Sequence, residues 1–110
     1  MPEYRSARIA ALNDHARRHL SECRVVLSLG VSEMDPDDID FIMGEVRRHT
    51  EFTAANDPYG EHDFGVINTF EFQVFWKFDY YDLDFTMHSQ DPADDTITAR
   101  VLTVMLAEEY

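Results

Sequence analysis

The residues best suited to chemistry lie between positions 57 and 79. Asp57, Glu61 and His62 fall within the stretch NDPYGEHDFG. A turn that gathered them would offer two carboxylates and an imidazole, a donor set suited to a divalent cation. Lys77 and Asp79 stand two apart, which on an extended strand puts both on one face, roughly 7 Å from each other. Lys77 is the single lysine of the chain and is set among aromatic residues. Partial burial lowers the pKa of an ammonium group and makes the amine a base or nucleophile. One candidate catalytic set is therefore Lys77, His62 and Asp79, and one candidate metal set is Asp57, Glu61 and His62. A salt bridge from Lys77 to Asp79 or Asp63 accounts for the same residues without catalysis.

Other matches are weaker. His15 and His19 have the spacing of helical zinc ligands, but Ala16, Arg17 and Arg18 fill the interval and the motif's glutamate is missing. The aspartates from Asp35 to Asp40 lack the glycine and glutamate of a calcium loop and read as a helix start. Asp63-Phe64-Gly65 spells a kinase metal motif without the other kinase parts. Phe75 stands where an Asp…Glu-x-Lys nuclease needs glutamate. No Gly-rich phosphate loop, GxSxG or Cys–His signature is present, so no cofactor is expected.

Charge gives the second line of reasoning. In 110 residues, 22 Asp and Glu face 9 Lys and Arg, a formal net charge of -13. Hydrophobic residues make up 45 % and aromatics 13 %, too many for a disordered acidic tail. The length fits one domain over residues 1–110. Binding a phosphate backbone needs a basic face, so direct nucleic-acid binding is excluded. The excess is uneven: residues 1–34 carry five arginines against four acids, and residues 35–110 four cations against 18 acids. Some of these acids belong to helix starts. The rest gather at Asp79-Tyr80-Tyr81-Asp82-Leu83-Asp84, then at Asp91, Asp94 and Asp95, and at Glu108 and Glu109. On an extended segment rising about 3.3 Å per residue, Asp79, Asp82 and Asp84 would imitate phosphates about 3.4 Å apart along one strand. Tyr80 and Tyr81 would supply anchoring contacts. An edge strand guarded by charge is the plainer account.

These residues need elements to hold them. The first helix is expected over about residues 3–21, with Ile9, Leu12, Ala16 and Leu20 on one stripe at about 100° per residue. Cys23–Leu29 reads as a short strand ending at Gly30. Asp35-Pro36-Asp37-Asp38 opens a second helix whose buried stripe is Ile39, Ile42, Met43 and Val46; Phe41 falls about 150° from that stripe. Residues 53–62 form a loop with a type I turn at Asp57–Gly60. From Asp63 to Tyr81 the period is two, with a hairpin bend near Asn68–Glu71. Asp91-Pro92-Ala93-Asp94 repeats the capping pattern and predicts a last helix through Ile97, Val101, Val104 and Met105. Glu108 and Glu109 would then lie at its negative end, an unfavourable place. The sum is an α+β fold, a three- to four-stranded mostly antiparallel sheet with three helices packed mainly on one face. Cys23 alone forms no internal disulfide, and neither a signal peptide nor an apolar run of roughly 18 residues appears, so a cytoplasmic protein with no membrane contact is expected.

The words NDPYGEHDFG (56–65), WKFDYYD (76–82), DPADDTITARVLTVMLAEEY (91–110), LND (12–14) and RVVLSLGV (24–31) together resemble a family of small acidic proteins of unknown function. The resemblance implies an origin in alphaproteobacteria and their mobile elements. By analogy, it implies a protein that counters host defence by mimicking nucleic acid. The reading is thus a non-enzymatic acidic binding protein whose partner is a basic protein such as a nucleic-acid-binding enzyme, held through Asp79, Tyr80, Tyr81, Asp82, Asp84, Asp91, Asp94, Asp95, Glu108 and Glu109. The alternatives are a small metal-assisted enzyme built on the 57–63 loop and Lys77, or a homodimer joined through exposed apolar surface such as Phe41.

Overall fold

The computed structural model describes residues 2–20 and 22–110. They form helix α1 (Pro2–His19), strand β1 (Arg24–Leu27), a single-turn helix α2 (Leu29–Ser32) and helix α3 (Pro36–Arg48). Strands β2 (Phe64–Asn68), β3 (Gln73–Tyr81) and β4 (Ala99–Leu106) follow, then a 3-10 turn over Ala107–Glu109. Residue 21, the expected end of the first helix, lies outside the described residues.

Local rules account for the helix starts. Asp35 caps α3 by accepting from the Asp37 N–H at 3.0 Å, with Pro36 in the first turn. Asp37 and Asp38 sit at the positive end of its dipole, and Arg47 and Arg48 at the negative end. Ser28 ends the strand segment and caps α2 through its hydroxyl, so Gly30 belongs to a helical turn instead of closing β1.

The sheet order is β1-β4-β3-β2; β1 and β4 are parallel and the other pairs antiparallel. The α+β class and the β2–β3 hairpin hold. Val74, Trp76 and Phe78 of β3 and Leu102 and Val104 of β4 face the helices, where Ala16, Val31, Ile42 and Val46 meet them. Burying this apolar layer is the main stabilising term. Gly65 sits opposite Trp76, and a Cβ there would collide with the indole Nε1. The other face of the sheet carries Val66, Phe75, Lys77, Asp79, Tyr81 and Thr103, and there Tyr110, after the C-terminal 3-10 turn, packs edge-on against Phe64 and Phe75. No helix among the described residues is long and apolar enough to cross a membrane.

The expected last helix is a strand, β4. It lies between β1 and β3, and Val101, Leu102, Val104 and Met105 are all at most 8 % exposed. A strand covered on both faces reads as an unbroken apolar run, and such a run imitates a helix stripe. Asp91 and Asp94 do not cap a helix. Asp91 accepts from the Ala93 N–H at 3.1 Å and Asp94 from the Thr96 N–H at 3.0 Å, both as turn-forming side chains. The conflict at the expected helix end also disappears, because Glu108 and Glu109 occupy the first turn of a 3-10 element.

Polar side chains join α1 to the sheet. Asn13, fully buried, donates to Tyr80 Oη at 2.7 Å and to the Glu61 carbonyl at 3.0 Å, and accepts from Arg100 Nε at 2.9 Å. Arg100, its side chain 1 % exposed, also pairs with Asp95 at 2.9 Å and bonds the Pro92 carbonyl. Asn13→Ala would leave a buried guanidinium N–H and a tyrosyl oxygen without this partner. It is expected to lower the unfolding free energy by about 2–4 kcal/mol in urea denaturation followed by Trp76 fluorescence. A loss below about 1 kcal/mol would show that the network carries little of the stability.

Candidate functional site

The 57–63 loop is built around one carboxylate. Asp57 is buried, and its Oδ1 accepts from the backbone N–H groups of Glu61 at 3.0 Å and His62 at 3.1 Å. That holds the expected turn, in which the Gly60 N–H donates to the Asp57 carbonyl at 3.2 Å. His62 takes a left-handed backbone (φ 54°) and stacks on Phe52 with ring centroids 3.9 Å apart. Its Nδ1 lies 3.0 Å from the Asp14 carboxylate, which also pairs with Arg17 at 3.0 Å. Asp57 and His62 therefore do come together, with Nε2 3.8 Å from Oδ2. Their third neighbour is Asp14, and the Glu61 side chain is not part of the cluster. Among the described residues no three His, Cys, Asp or Glu side chains converge as a metal site. The Asp57, Glu61 and His62 metal set is thus corrected to a turn locked onto α1, with Arg17 placed where a cation would sit.

The catalytic alternative is divided by the sheet. Lys77 and Asp79 do share a face of β3, and Nζ lies 2.9 Å from Oδ2. Both are about one-third exposed, at 35 % and 32 %. They point to the face opposite α1 and α3, whereas His62 stacks on Phe52, which itself packs edge-on against the core residue Trp76. The Lys77, His62 and Asp79 set is therefore not assembled, and the salt bridge is what the strand spacing produced. Shallow depressions of about 490 and 600 Å³ flank the pair, one toward Tyr59 and Asp63, the other toward Thr103 and Met105. Burial pushes the Asp63 carboxyl above its ordinary range, and the carboxylates of Asp57 and Asp79 add to the rise.

The acidic and aromatic residues are distributed in a way that spacing along a strand did not reveal. Tyr80 faces the helices, with its hydroxyl on Asn13 and its ring beneath Arg100, so it cannot anchor a partner. Tyr81 points outward beside Phe85 and His88. β3 ends at Tyr81, and the chain folds back as Asp82 accepts from Thr86 N–H at 2.9 Å and from Thr86 Oγ1 at 2.8 Å. Asp79, Asp82 and Asp84 therefore do not lie on one extended ridge with phosphate spacing. Glu109 is exposed but engaged locally, accepting from Ser28 Oγ, the Gly30 N–H and the Leu106 N–H. Glu108 and Asp84 are exposed.

What the structure does bring together is the β3–β4 connection, residues 82–98. It holds Asp82, Asp84, Asp91, Asp94 and Asp95 and contains no lysine or arginine. Asp91 pairs with Arg5 at 3.2 Å and Asp95 with Arg100. Hydrogen bonds from Thr86 hold Asp82, and those from Thr96 hold Asp94, below the usual carboxylate range. Between these acids Leu83, Phe85, Met87 and Ile97 are exposed, Met87 by 66 %. Sequence reasoning missed this apolar component. Its signal was the alternation Leu83-Asp84-Phe85-Thr86-Met87, which carries the strand period past the end of β3 at Tyr81 into a segment that is not a strand.

Residues 27–109 match a family described as "Protein of unknown function (DUF3768)". No curated protein and no solved structure matches the chain.

Asp63 yields a pH test. Its folded pKa is raised above the ordinary 3.8, so ionisation at neutral pH costs stability, and that cost vanishes below 3.8 where both states are protonated. Asp63→Asn is expected to stabilise the protein at pH 7, with the gain shrinking as the pH falls toward 3.8. Urea denaturation of both proteins across that range checks it; a gain independent of pH would remove burial of the charge as its cause.

Proposed function

The chain belongs to the DUF3768 family of proteins of unknown function, and on that premise we propose that it is a non-enzymatic binding protein whose 82–98 loop engages a basic surface of another protein. One observation carries this reading: five acids and four exposed apolar side chains share a loop without a single Lys or Arg. Connections of this length without secondary structure are uncommon in small domains and are usually functional. Charge steers the encounter and selects the partner, while apolar contacts supply affinity that exposed ion pairs do not.

The local hydrogen bonds favour the same role. Thr86 and Thr96 fix the Asp82 and Asp94 carboxylates in place, so less side-chain entropy is lost on binding. They also keep both groups charged to lower pH. The surfaces richest in Lys and Arg are those that otherwise bind phosphates. A chain of net charge -13 is suited to compete with nucleic acid for such a groove. Mimicry here works through total charge and turn-held carboxylates, with Asp82, Asp84 and Asp94 as the least neutralised groups and Tyr81 beside them.

The test uses immobilised protein and the heparin-binding fraction of a cell extract. Proteins retained should be released by duplex DNA and by rising salt. The Asp82→Asn, Asp84→Asn, Asp94→Asn triple variant keeps an oxygen acceptor for each turn and should retain roughly tenfold less of them. Retention that survives DNA competition and is equal on the triple variant would overturn the proposal.

A further inference from the structure

A second surface lies at the other end of β3. The β2–β3 turn presents Phe70 fully to solvent, at 106 % exposure, and the outer side of α3 presents Phe41 at 53 %. With Phe72 they line a depression of about 500 Å³ that also takes in Asp38 and Glu71. Beyond Phe41 and Asn68 it continues into a second depression of about 370 Å³, bordered by Glu45, Glu51 and the β2 residues Val66 and Ile67. β2 is an edge strand, paired only with β3.

The placement of Phe70 is not needed by the fold. Thr69 builds the turn by itself, its Oγ1 accepting from the N–H groups of Glu71 at 3.3 Å and Phe72 at 3.0 Å and donating to the Phe72 carbonyl at 2.8 Å. A polar turn residue would serve equally at position 70. A bonded turn that holds an aromatic ring in water, next to a second exposed ring, has the form of a prepared contact surface. Its rim is acidic: Asp38, Glu45, Glu51 and Glu71 surround the rings. Arg48 lines the second depression too and pairs with Glu45, 3.5 Å away, so the rim's uncompensated charge comes from Asp38, Glu51 and Glu71.

From this we infer that the trough between α3 and the β2–β3 turn docks a segment of a partner protein in which a bulky apolar side chain is flanked by Lys or Arg. The apolar residue fills the space beside Phe41 and Phe70, and the cations meet the acidic rim. A second copy of the chain is the wrong occupant, because two acidic rims would be brought face to face at a net charge of -13 per chain. The surface is also separate from the 82–98 loop. The nine residues of β3 lie between them, about 30 Å of extended chain. Binding here therefore stands or falls independently of the loop.

The experiment is selection of a random-peptide phage library on the purified chain, with counter-selection on a Phe41→Ser, Phe70→Ser double variant. Both side chains are exposed, and thermal melts establish that the variant is folded. Enriched peptides should pair an aromatic or large aliphatic residue with flanking Lys or Arg. A synthetic representative should bind the double variant roughly tenfold or more weakly, the loss typical of an aromatic anchor, and bind the Asp82, Asp84, Asp94 variant unchanged. The inference is overturned by no enrichment, by enriched peptides without cations, or by equal binding to the double variant. It is equally overturned if sedimentation shows a dimer that the Phe70→Ser change dissociates, since the occupant would then be another copy.

Discussion

The architecture depends on bringing two arginines into the interior. Arg17 and Arg100 each have side chains 1 % exposed, and a guanidinium removed from water is costly unless most of its donors find acceptors and its charge a partner. Arg100 finds Asn13, Asp95 and the Pro92 carbonyl. The terminal nitrogens of Arg17 find Asp14 and the Val46 and Arg47 carbonyls at the end of α3; its Nε has no acceptor among the described residues, and its guanidinium lies 4.9 Å from the Trp76 ring centroid. Satisfying these groups fixes where α1 lies, since Asn13, Asp14 and Arg17 come from one side of that helix. It fixes the 57–62 loop through His62 on Asp14, and the 91–95 turns through Asp95. The apolar core supplies most of the stability; the arginine partners decide which arrangement of loops surrounds it. Burial lowers the pKa of both guanidinium groups, yet each retains an acidic partner that favours its charged form.

This interior charge explains what was legible in the sequence. α3 could be read because its cap, proline, dipole charges and apolar stripe all lie within Asp35–Arg48 and agree with one another. The β2–β3 hairpin was legible for the same reason, its two-residue period running unbroken from Phe72 to Tyr80. β4 was not, because its apolar run has two covered faces and so no alternation, while an Asp-Pro pair upstream imitated a cap. The roles of Asn13, Arg17 and Arg100 had no local signal at all. Nothing near Arg100 in sequence announces that its partner is 87 residues away. Of the candidate site, the Lys77–Asp79 pair was visible from spacing, but the separation of His62 from it required knowing which side of the sheet each loop crosses.

The net charge of -13 resolves into unlike parts. Asp35, Asp57, Asp82, Asp91, Asp94 and Glu109 bond backbone N–H groups, the work of caps and turns. Asp14, Asp79 and Asp95 are matched to cations. A turn-forming carboxylate can still face solvent, however, and Asp82 and Asp94 show how one group serves local geometry and surface charge together. Local structure and surface charge are therefore carried by the same carboxylates; the hydrogen bonds that shape the 82–98 loop are the ones that orient its charges.

The strand order has a consequence for how the chain acquires its shape. β4 stands between β1 and β3, so Arg24 is registered against Val101 and Val25 against Leu102. The β2–β3 hairpin can form from neighbouring residues, but β1 has no strand to join until residues 99–106 arrive. Contacts this distant in sequence slow folding, since a long loop must close before they contribute. During that wait Val25 and Leu27 and the open edge of β3 are uncovered together, and an uncovered edge pairs readily with another chain. A strongly negative chain repels its own copies through that interval, so the acidity also protects a late-closing sheet while it is being made.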